Sequence, residues 1–374
     1  MHKAKALSIR LAIGLNSFCI VKPKQLLSLI RRKDLYRHRS YYPEVREEQH
    51  KRSHKIFWEQ VHQILKYDYP NEYYFSYGMD VKNDDECNQY LNYMFFRNRR
   101  ENLNFANKVN CTCILRDKML FSIFANGIGV RTAPNVYYST NGSIYEFDSK
   151  REVTVSELTG KDCELFCKLV DGECGNGVFK LKIKEGQIFI NNTISSVDEL
   201  QNRISSGRFL FQEVIRQHPD MSALHSQSIN SMRLITVRSL KDGHIYTFPS
   251  ILRIGTGNSI VDNTSQGGLA VGIDMSTGFL KKWGFYKPQF GLKVDTHPDS
   301  KVKFSDFRIP FFKEAVQQAI YFHSMLPELH SVGWDIAIDE EGPIFIEGND
   351  NWEINGPQIC NGGLKENFNN LFYK

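Results

Sequence analysis

Two carboxylates and an amide near the C-terminus have the residue types and the spacing of a magnesium site. The run from Gly333 to Asn349 reads as two strands joined by a three-residue turn, Glu340-Glu341-Gly342, with glycine at a left-handed position. In that register Asp335 lies opposite Glu347, and Asn349 lies two residues further along the same face. Opposed carboxylates have Cβ atoms about 5 Å apart and repel each other, so a cation or a proton must lie between them. Hard oxygen ligands suit Mg²⁺, which keeps its other positions for water and phosphates.

The other face of this hairpin is predicted to be buried. The same register sets Ile336 opposite Ile346 and Ile338 opposite Ile344, which gives an aliphatic face behind the carboxylates. A solvated hairpin with acidic decoration is the alternative interpretation, but such a hairpin does not need an aliphatic face. We therefore predict a magnesium site with the ligands Asp335, Glu347 and Asn349.

A second candidate site is a glycine-rich loop between two predicted strands. The loop holds Gly172, Gly175 and Gly177, and small residues let backbone N–H groups approach an anion closely. It is not a Walker A loop, because no Gly-Lys-Ser/Thr follows and the next element reads as a strand. Lys168 lies on the preceding strand, where an ammonium needs a partner anion or a route to water. By itself the loop is more typical of a plain hairpin turn than of a phosphate site.

Further polar residues follow on later strands. The predicted strand Phe209–Ile215 is apolar with a polar centre and could hold a flat heterocycle through backbone hydrogen bonds. Arg233 and Arg253 lie on strands, and a guanidinium binds phosphate or carboxylate in a bidentate manner. Taken singly, each arginine is more often a surface charge.

The elements that must position these residues change in character along the chain. The first hundred residues read as helical and irregular. Strands with short turns recur from about residue 107, and a helix is predicted from Pro310 to Met325. This mixture predicts an α+β fold with antiparallel sheets. The predicted strands are Leu165–Val170, Val178–Ile183, Phe209–Ile215, Arg233–Arg238, Thr247–Ile254, Leu269–Ile273, Trp334–Ile338 and Pro343–Glu347.

Composition limits the class of protein. The chain has 374 residues, of which 41% are hydrophobic and 24% charged, which predicts two or three folded units and excludes a mostly disordered chain. No stretch approaches the ~18 apolar residues that a membrane-spanning helix needs. The eight cysteines, with Cys111 and Cys113 on a predicted strand, lack paired C-x-x-C spacing. Reduced thiols and a cytoplasmic location are therefore expected.

The positive charge is concentrated at the N-terminus. Residues 1–60 hold 14 Lys and Arg against 5 Asp and Glu, while the whole chain has a net charge of +5. A basic segment indicates either a solvated helical face, which we favour, or an acidic partner such as phospholipid, nucleic acid or a polyanionic glycan. A weak membrane-surface contact stays open. No recognition motif accompanies the charge, so specific binding of nucleic acid is not expected.

The order of these parts resembles the ATP-grasp superfamily, and within it the sugar-transfer-associated ATP-grasp proteins. The resemblance covers roughly residues 105–365. Its most specific part is the final hairpin, and its least specific part is the glycine-rich loop. The matching stretches are Asp117-Lys118, the Lys168 strand with its loop, Phe211–Ile215, Asn230–Arg233, Arg253, Asn263–Gly268 and Gly333–Asn349.

The resemblance implies a role for each matched residue. Lys118 and Lys168 would contact the phosphates of ATP, and the loop of Gly172, Gly175 and Gly177 would close over them. The adenine edge would be held by Glu213 and Ile215, mainly through backbone groups. The phosphate in transfer would be stabilised by Arg233 and Arg253, and magnesium would be bound by Asp335, Glu347 and Asn349. One departure is that the loop carries Glu173 and Cys174, which are bulkier than the small residues expected there.

The resemblance also implies an organisation and a reaction. We expect a basic, mainly helical region over residues 1–105 and an ATP-grasp N-terminal subdomain over 106–215. The C-terminal subdomain with the magnesium-binding hairpin would cover residues 216–374. The implied reaction joins a small or sugar-linked carboxylate to an amine such as an amino acid, using ATP and Mg²⁺, through an acyl phosphate, in the synthesis of surface polysaccharides or other sugar conjugates. A phosphotransferase or a non-catalytic ATP-binding module on the same fold stays open.

Overall fold

The computed structural model describes residues 16–40, 45–106, 111–172, 177–257, 259, 267–286 and 292–374. The described part of the first hundred residues is helical and irregular, as predicted. A single π-helical turn over Ser17–Val21 leads into the first α-helix. The helices of this region are α1 (Lys22–Arg31), α2 (Ser53–Tyr67), α3 (Asp84–Cys87) and α4 (Tyr93–Asn104).

The next segment is also helical, which the sequence did not predict. Helix α5 covers Thr112–Arg116 and helix α6 covers Lys118–Gly127, so the prediction that Cys111 and Cys113 lie on a strand is wrong. The Asp117 carboxylate caps α6 by accepting hydrogen bonds from the next helical N–H groups, at 3.0 and 2.9 Å. These helices bury residues at helical rather than alternating spacing, namely Leu115, Phe121 and Ala125.

The first sheet is antiparallel and has the strand order β3-β2-β1-β8-β4-β5-β6-β7. One face packs on two short helices, α7 (Val155–Thr159) and α8 (Val197–Ser205), through a core that includes Cys167 and Leu200. Its strands are β1 (Asn135–Thr140), β2 (Ser143–Glu146), β3 (Glu152–Val153), β4 (Cys163–Leu169), β5 (Val178–Lys184), β6 (Gln187–Ile190), β7 (Thr193–Ser195) and β8 (Phe209–Glu213).

Strand β8 is shorter than predicted. The expected strand reached Ile215, but the backbone N–H of Glu213 donates to the carbonyl of Pro134 at 2.9 Å, and the ladder ends there. Because proline has no N–H, Pro134 cannot extend the pairing with β8. Ile215 therefore lies beyond the strand.

The second sheet is antiparallel, with the order β13-β12-β11-β10-β9-β14-β15. Helix α10 (Phe312–Ser324) packs on one face, and this helix was predicted within two residues at each end. Helix α9 (Pro219–Leu224) precedes the sheet, and α11 (Asn355–Asn361) and α12 (Lys365–Phe372) follow it. The strands are β9 (Met232–Arg238), β10 (Ile245–Ile254), β11 (Leu269–Ile273), β12 (Leu280–Tyr286), β13 (Lys293–Val294), β14 (Ser331–Asp339) and β15 (Gly342–Asn349).

The register of the β14–β15 hairpin agrees with the prediction near its open end and differs near its turn. Asp335 pairs with Glu347 as expected, but Ile336 faces Phe345 and Ile338 faces Pro343. The predicted pairs Ile336–Ile346 and Ile338–Ile344 are therefore wrong. The turn holds only two residues, because Asp339 pairs with Gly342, and an irregularity between Asp335 and Ile336 absorbs the extra residue of β15.

Candidate functional site

The candidate site begins with a row of charged residues across the second sheet. Asp335 lies opposite Glu347 on one side and opposite Arg233 on the other, so β15, β14 and β9 place three charged side chains on one face. Strand β14 is buried around this row, whereas Glu347 and Asn349 on β15 are half-buried. The face opposite the row carries the main core, which includes Trp334 and Ile336.

Two arginines supply the positive charge that the opposed carboxylates require. Arg233 binds Asp335 through Nε at 2.5 Å and Nη2 at 3.0 Å, and Arg253 binds it through Nη2 at 2.6 Å. Burial opposes the charge of Asp335, which is only 3% exposed, yet the two guanidinium groups hold the pKa of Asp335 well below its usual range. The two guanidinium groups therefore favour the ionised form of Asp335.

Glu347 behaves in the opposite way. Burial raises the pKa of Glu347, and the neighbouring charge of Asp335 raises it further, while Arg233 and Lys118 partly offset this. Asn349, two residues along the strand, donates from Nδ2 to Glu347 Oε1 at 3.2 Å. Of the two carboxylates, Glu347 is thus the one whose ionised form is disfavoured in this structure.

Lys168 reaches this cluster from the first sheet. It lies on β4 and is 7% exposed, with its Nζ 5.5 Å from the centre of the Phe166 ring. Burial lowers the pKa of Lys168 to about 8, and the charges that act on it include Glu347, Asp335 and Lys118. The buried ammonium of one sheet therefore interacts with the carboxylates of the other.

Lys118 is positioned by the corner between α5 and α6. Its Nζ donates to the carbonyl of Gly172, and its backbone N–H donates to the carbonyl of Val170 at 3.0 Å. The corner packs closely on the hairpin at Gly348, where an added Cβ would lie 2.7 Å from Leu115 and 3.3 Å from Phe121. A glycine at this position lets the helix that carries Lys118 approach β15.

The other residues implied by the resemblance lie further from this cluster. Glu213 is at the exposed end of β8. Lys168 pairs with Leu210 of this strand, and Glu213 lies three residues, or about 10 Å, beyond Leu210. Gly177 has a φ of +69° and lies against Leu169, so a side chain there would be strained. Gly175 lies outside the described residues, and so do Glu173 and Cys174, the two bulky residues of the loop. Most of Asn263–Gly268 also lies outside them.

An ion pair beside the site has no signal in the sequence. Arg116 binds Asp350 in a bidentate manner at 3.0 and 2.8 Å, and Asp350 is 3% exposed. Asp350 follows Asn349 directly, so this pair ties the end of β15 to α5. The two partners are 234 residues apart in sequence, and no local pattern could have matched them.

A separate cluster of possible metal ligands does not carry the same chemistry. His225, His297 and Asp299 bring ligand atoms within 4.8 Å of one another. Both ring nitrogens of His297 are already used, since Nε2 bonds the carbonyl of Gly255 at 2.9 Å and Nδ1 lies 3.3 Å from the backbone nitrogens of Asp299 and Ser300. We interpret this cluster as structural, because the hydrogen bonds of His297 connect its own loop to Gly255.

Comparison with solved structures finds ligases and synthetases at low identity. They include an ADP complex of purK, N5-carboxyaminoimidazole ribonucleotide synthetase (10% identity, TM-score 0.40, 69% of this chain and 52% of that one). Another is a D-alanine-D-alanine ligase from Helicobacter pylori (11% identity, TM-score 0.40, 69% of this chain and 58% of that one). A third is an N5-carboxyaminoimidazole synthetase from Staphylococcus aureus complexed with ADP (10% identity, TM-score 0.39, 70% of this chain and 52% of that one).

The chain thus spans only 52% to 58% of the length of these proteins. A comparison with curated protein sequences finds no match. No helix in the described ranges is both long and apolar enough to cross a membrane. The family model described as sugar-transfer associated ATP-grasp matches residues 97–371, which is most of the chain, including every residue of the site. The chain therefore belongs to the sugar-transfer associated ATP-grasp family.

Proposed function

We propose that this protein is an ATP- and magnesium-dependent ligase that joins a carboxylate to an amine. The observation that carries the proposal is the meeting of a buried and a half-buried carboxylate with two arginines and a buried lysine. Phosphoryl transfer needs positioning and charge neutralisation rather than a side-chain nucleophile, and this cluster is built from charged groups.

The residues of the hairpin fit a magnesium ion. Asp335, Glu347 and Asn349 offer oxygen ligands on one face, and the raised pKa of Glu347 indicates a carboxylate that a cation would stabilise. Asp335 would share its oxygens between the ion and the two arginines. Magnesium bound there would neutralise charge on the phosphates of ATP.

The other site residues would hold the nucleotide. We assign the phosphates to Lys118 and Lys168, which approach from the first sheet and its neighbouring helix. The loop would cover the phosphates with Gly172, Gly175 and Gly177. The adenine would lie at the end of β8, against the backbone of Glu213 and Ile215.

The proposed reaction has two steps. An oxygen of the acceptor carboxylate attacks the γ-phosphorus of ATP, the bond to the β-phosphate oxygen breaks, and an acyl phosphate and ADP form. An amine then attacks the acyl carbon, phosphate leaves, and the nitrogen loses a proton to give the amide. Arg233 and Arg253 would hold the acceptor carboxylate and the transferring phosphoryl group, because guanidinium matches both geometries.

The substrates are proposed by chemical class. The family description points to sugar transfer, so we propose a small or sugar-linked carboxylate and an amine such as an amino acid, in polysaccharide or sugar-conjugate synthesis in the cytoplasm. Transfer of phosphate to a hydroxyl would instead give a phosphorylated product and no amide, and product analysis separates the two outcomes.

Thermal unfolding with and without Mg-ATP tests the nucleotide site. Ligand at ~100 times its dissociation constant stabilises a protein by about 2.7 kcal/mol, and each kcal/mol moves the midpoint of a chain of this size by roughly 2–4 °C. We expect a magnesium-dependent shift of several degrees in the wild type and its loss in Glu347→Gln. In a screen of acceptors, this variant should also fail to release ADP.

The matched control is Glu340→Gln, which makes the same chemical change at the exposed turn of the same hairpin. This variant should keep the full shift. A wild-type shift that persists in Glu347→Gln would contradict the metal assignment, and no shift in the wild type at millimolar Mg-ATP would contradict the function.

A further inference from the structure

A cavity rich in lysine lies outside the site described above. It has a volume of about 380 Å³, within the range of small-molecule sites. Its walls come from the N-terminal helical region, from β12 and β13 at one edge of the second sheet, and from α11. The lining residues are Lys82, Tyr90, Lys281, Lys282, Trp283, Phe285, Lys293, Ile359 and Cys360.

An irregularity in the sheet lets adjacent lysines line one cavity. Successive side chains of a regular strand point to opposite faces. Strand β12 breaks this rule, because Val271 pairs with Gly284 whereas Ile273 pairs with Leu280, so β12 has two extra residues opposite β11. Lys281 and Lys282 lie in this irregular stretch.

Two further lysines enter from other elements. Lys293 lies on β13 opposite Phe285 and is 9% exposed. Lys82 comes from the helical region, where its Nζ donates to the carbonyl of Tyr77 at 2.6 Å. Four lysines from three separate segments therefore line the cavity, and the residues that line it in the described structure include no carboxylate.

The electrostatic environment of the cavity favours an anion. Burial lowers the pKa of Lys281, and burial also lowers the pKa of Lys82, with Lys293 contributing and Glu86 partly offsetting. A bound anion would stabilise the charged form of both side chains. Glu86 and Asp80 offset part of this desolvation cost for Lys82, and Asp274 offsets part of it for Lys281.

An aromatic wall accompanies the lysines. The Nζ atoms of Lys282 and Lys293 each lie 4.7 Å from the centre of the Trp283 ring, and Lys82 lies 5.5 Å from that of Tyr90. The half-buried Trp283 presents a flat apolar surface beside the charges. The combination suits a ligand that has both a multiply charged anionic group and an organic body.

We propose that this cavity binds the phosphate or pyrophosphate group of a small molecule, at a second anion site. It is separate from the residues proposed for the nucleotide. Arg253 pairs with Ala270, Ala270 with Phe285 and Phe285 with Lys293, so the cavity and the arginine share one face of the sheet. Three strand spacings of about 4.8 Å place them roughly 14 Å apart.

Calorimetric titration of the full chain with inorganic pyrophosphate, with the nucleotide site saturated by ADP, tests the proposal. We expect binding that ADP does not abolish. Because a hydrogen bond from a charged donor contributes strongly, Lys282→Glu should weaken this binding about tenfold or more. The exposed Lys282 has no proposed role at the nucleotide site, so its variant should keep the Mg-ATP thermal shift.

The matched control is Lys313→Glu, which makes the same charge change at an exposed position of α10, on the opposite face of the sheet. It should bind pyrophosphate as the wild type does. If Lys282→Glu lacks a cooperative unfolding transition, Lys282→Gln replaces it, with a smaller loss expected. Absence of ADP-insensitive binding, or an equal loss in Lys313→Glu, overturns the proposal.

A phosphate group could also belong to a lipid headgroup. Sedimentation with vesicles that contain anionic phospholipid separates the two sources. Lys282-dependent binding to vesicles, with no binding of free pyrophosphate, would overturn the small-molecule assignment. Pyrophosphate binding that depends on Lys282, without vesicle binding, supports it.

Discussion

At the scale of single residues, the site depends on two carboxylates with opposite properties. Arg233 and Arg253 hold the pKa of Asp335 low, while burial and the charge of Asp335 raise the pKa of Glu347 despite Arg233 and Lys118. This difference assigns different roles to two residues of nearly the same chemistry. Asp335 holds the two arginines in place, and we propose Glu347 as the carboxylate that responds to a cation.

Asp335→Asn should therefore destabilise the fold as well as remove activity. Loss of one partner from a buried ion pair costs about 3–5 kcal/mol, because the remaining charge stays buried. The side chains of Arg233 and Arg253 keep 19% and 15% exposure, so we expect a loss of about 3 kcal/mol, at the low end. Urea unfolding, monitored by tryptophan fluorescence, measures this loss.

The matched control is Asp339→Asn in the same strand. Asp339 pairs with Arg131, whose side chain is 38% exposed, and exposed pairs contribute about 1 kcal/mol or less. If the two variants lose the same free energy of unfolding, the pairing of Asp335 with two arginines contributes no more to stability than the exposed pair does.

At the scale of elements, the hairpin shows what the sequence could predict. Alternation along β14 and β15 placed Asp335 opposite Glu347 correctly, although the predicted turn was one residue too long. The irregularity between Asp335 and Ile336 compensated for that error near the open end of the hairpin. Alternation is a local property, whereas the turn and the irregularity depend on Gly342 and on packing against the rest of the sheet.

The partners of the hairpin could not be predicted in the same way. Arg233 reaches Asp335 only because β9 pairs with β14, and this pairing joins segments about a hundred residues apart. The helices α5 and α6 were missed because their short apolar stretch resembles a buried strand. Lys118 was matched through the resemblance, and its place beside Gly172 is a tertiary feature.

The contact of α10 with the second sheet predicts a loss of stability in acid. His323 is buried, Nδ1 contacts Thr236 Oγ1 at 2.8 Å, and Nε2 contacts the Leu329 carbonyl at 3.1 Å. Trp334 Nε1 donates to the same Thr236 oxygen at 2.8 Å. Burial lowers the pKa of His323 to about 3 and that of His330 to about 4.

Stability should therefore fall as the pH drops below the ordinary histidine pKa of about 6.5. In that window the unfolded chain binds protons that the folded chain does not, and each such proton costs about 1.4 kcal/mol per pH unit. The effect of His323 extends down to about pH 3. Urea midpoints at pH 7, 6, 5 and 4 should fall less steeply in His323→Gln than in the wild type.

His54→Gln provides the comparison, because His54 is exposed on α2. This variant should follow the wild-type pH dependence. If the urea midpoints of all three proteins fall in parallel with pH, the buried His323 does not cause the loss of stability in acid.

At the scale of the whole molecule, the N-terminal helical region packs on the second sheet. Tyr74 and Tyr77 share a buried cluster with Ile251 and Phe285 of the sheet. The sequence predicted the helical character of this region but not its docking, because the residues that make the contact have no local signal. The division into units at residues 105 and 215 stays a prediction.

Gln358 on α11 joins the two parts. It is fully buried, its Oε1 accepts from the backbone N–H of Leu91 at 2.7 Å, and its Nε2 donates to the Leu91 carbonyl at 3.1 Å. One side chain thus satisfies both backbone groups of a buried residue from the helical region. Leu91 itself lies in a cluster with Trp352 and Phe368.

Gln358→Ala should destabilise the whole molecule in a single transition. Each buried polar group left without a partner costs about 1–3 kcal/mol, and this variant leaves two such groups at Leu91. Far-ultraviolet circular dichroism and tryptophan fluorescence should give coincident urea transitions, both shifted to lower urea, whereas Gln187→Ala at an exposed position of β6 should shift neither. Separate transitions in Gln358→Ala would show instead that the helical region unfolds independently. Its docking would then be weaker than the packing at the two clusters indicates, and the helical region could move relative to the sheet that carries Asp335.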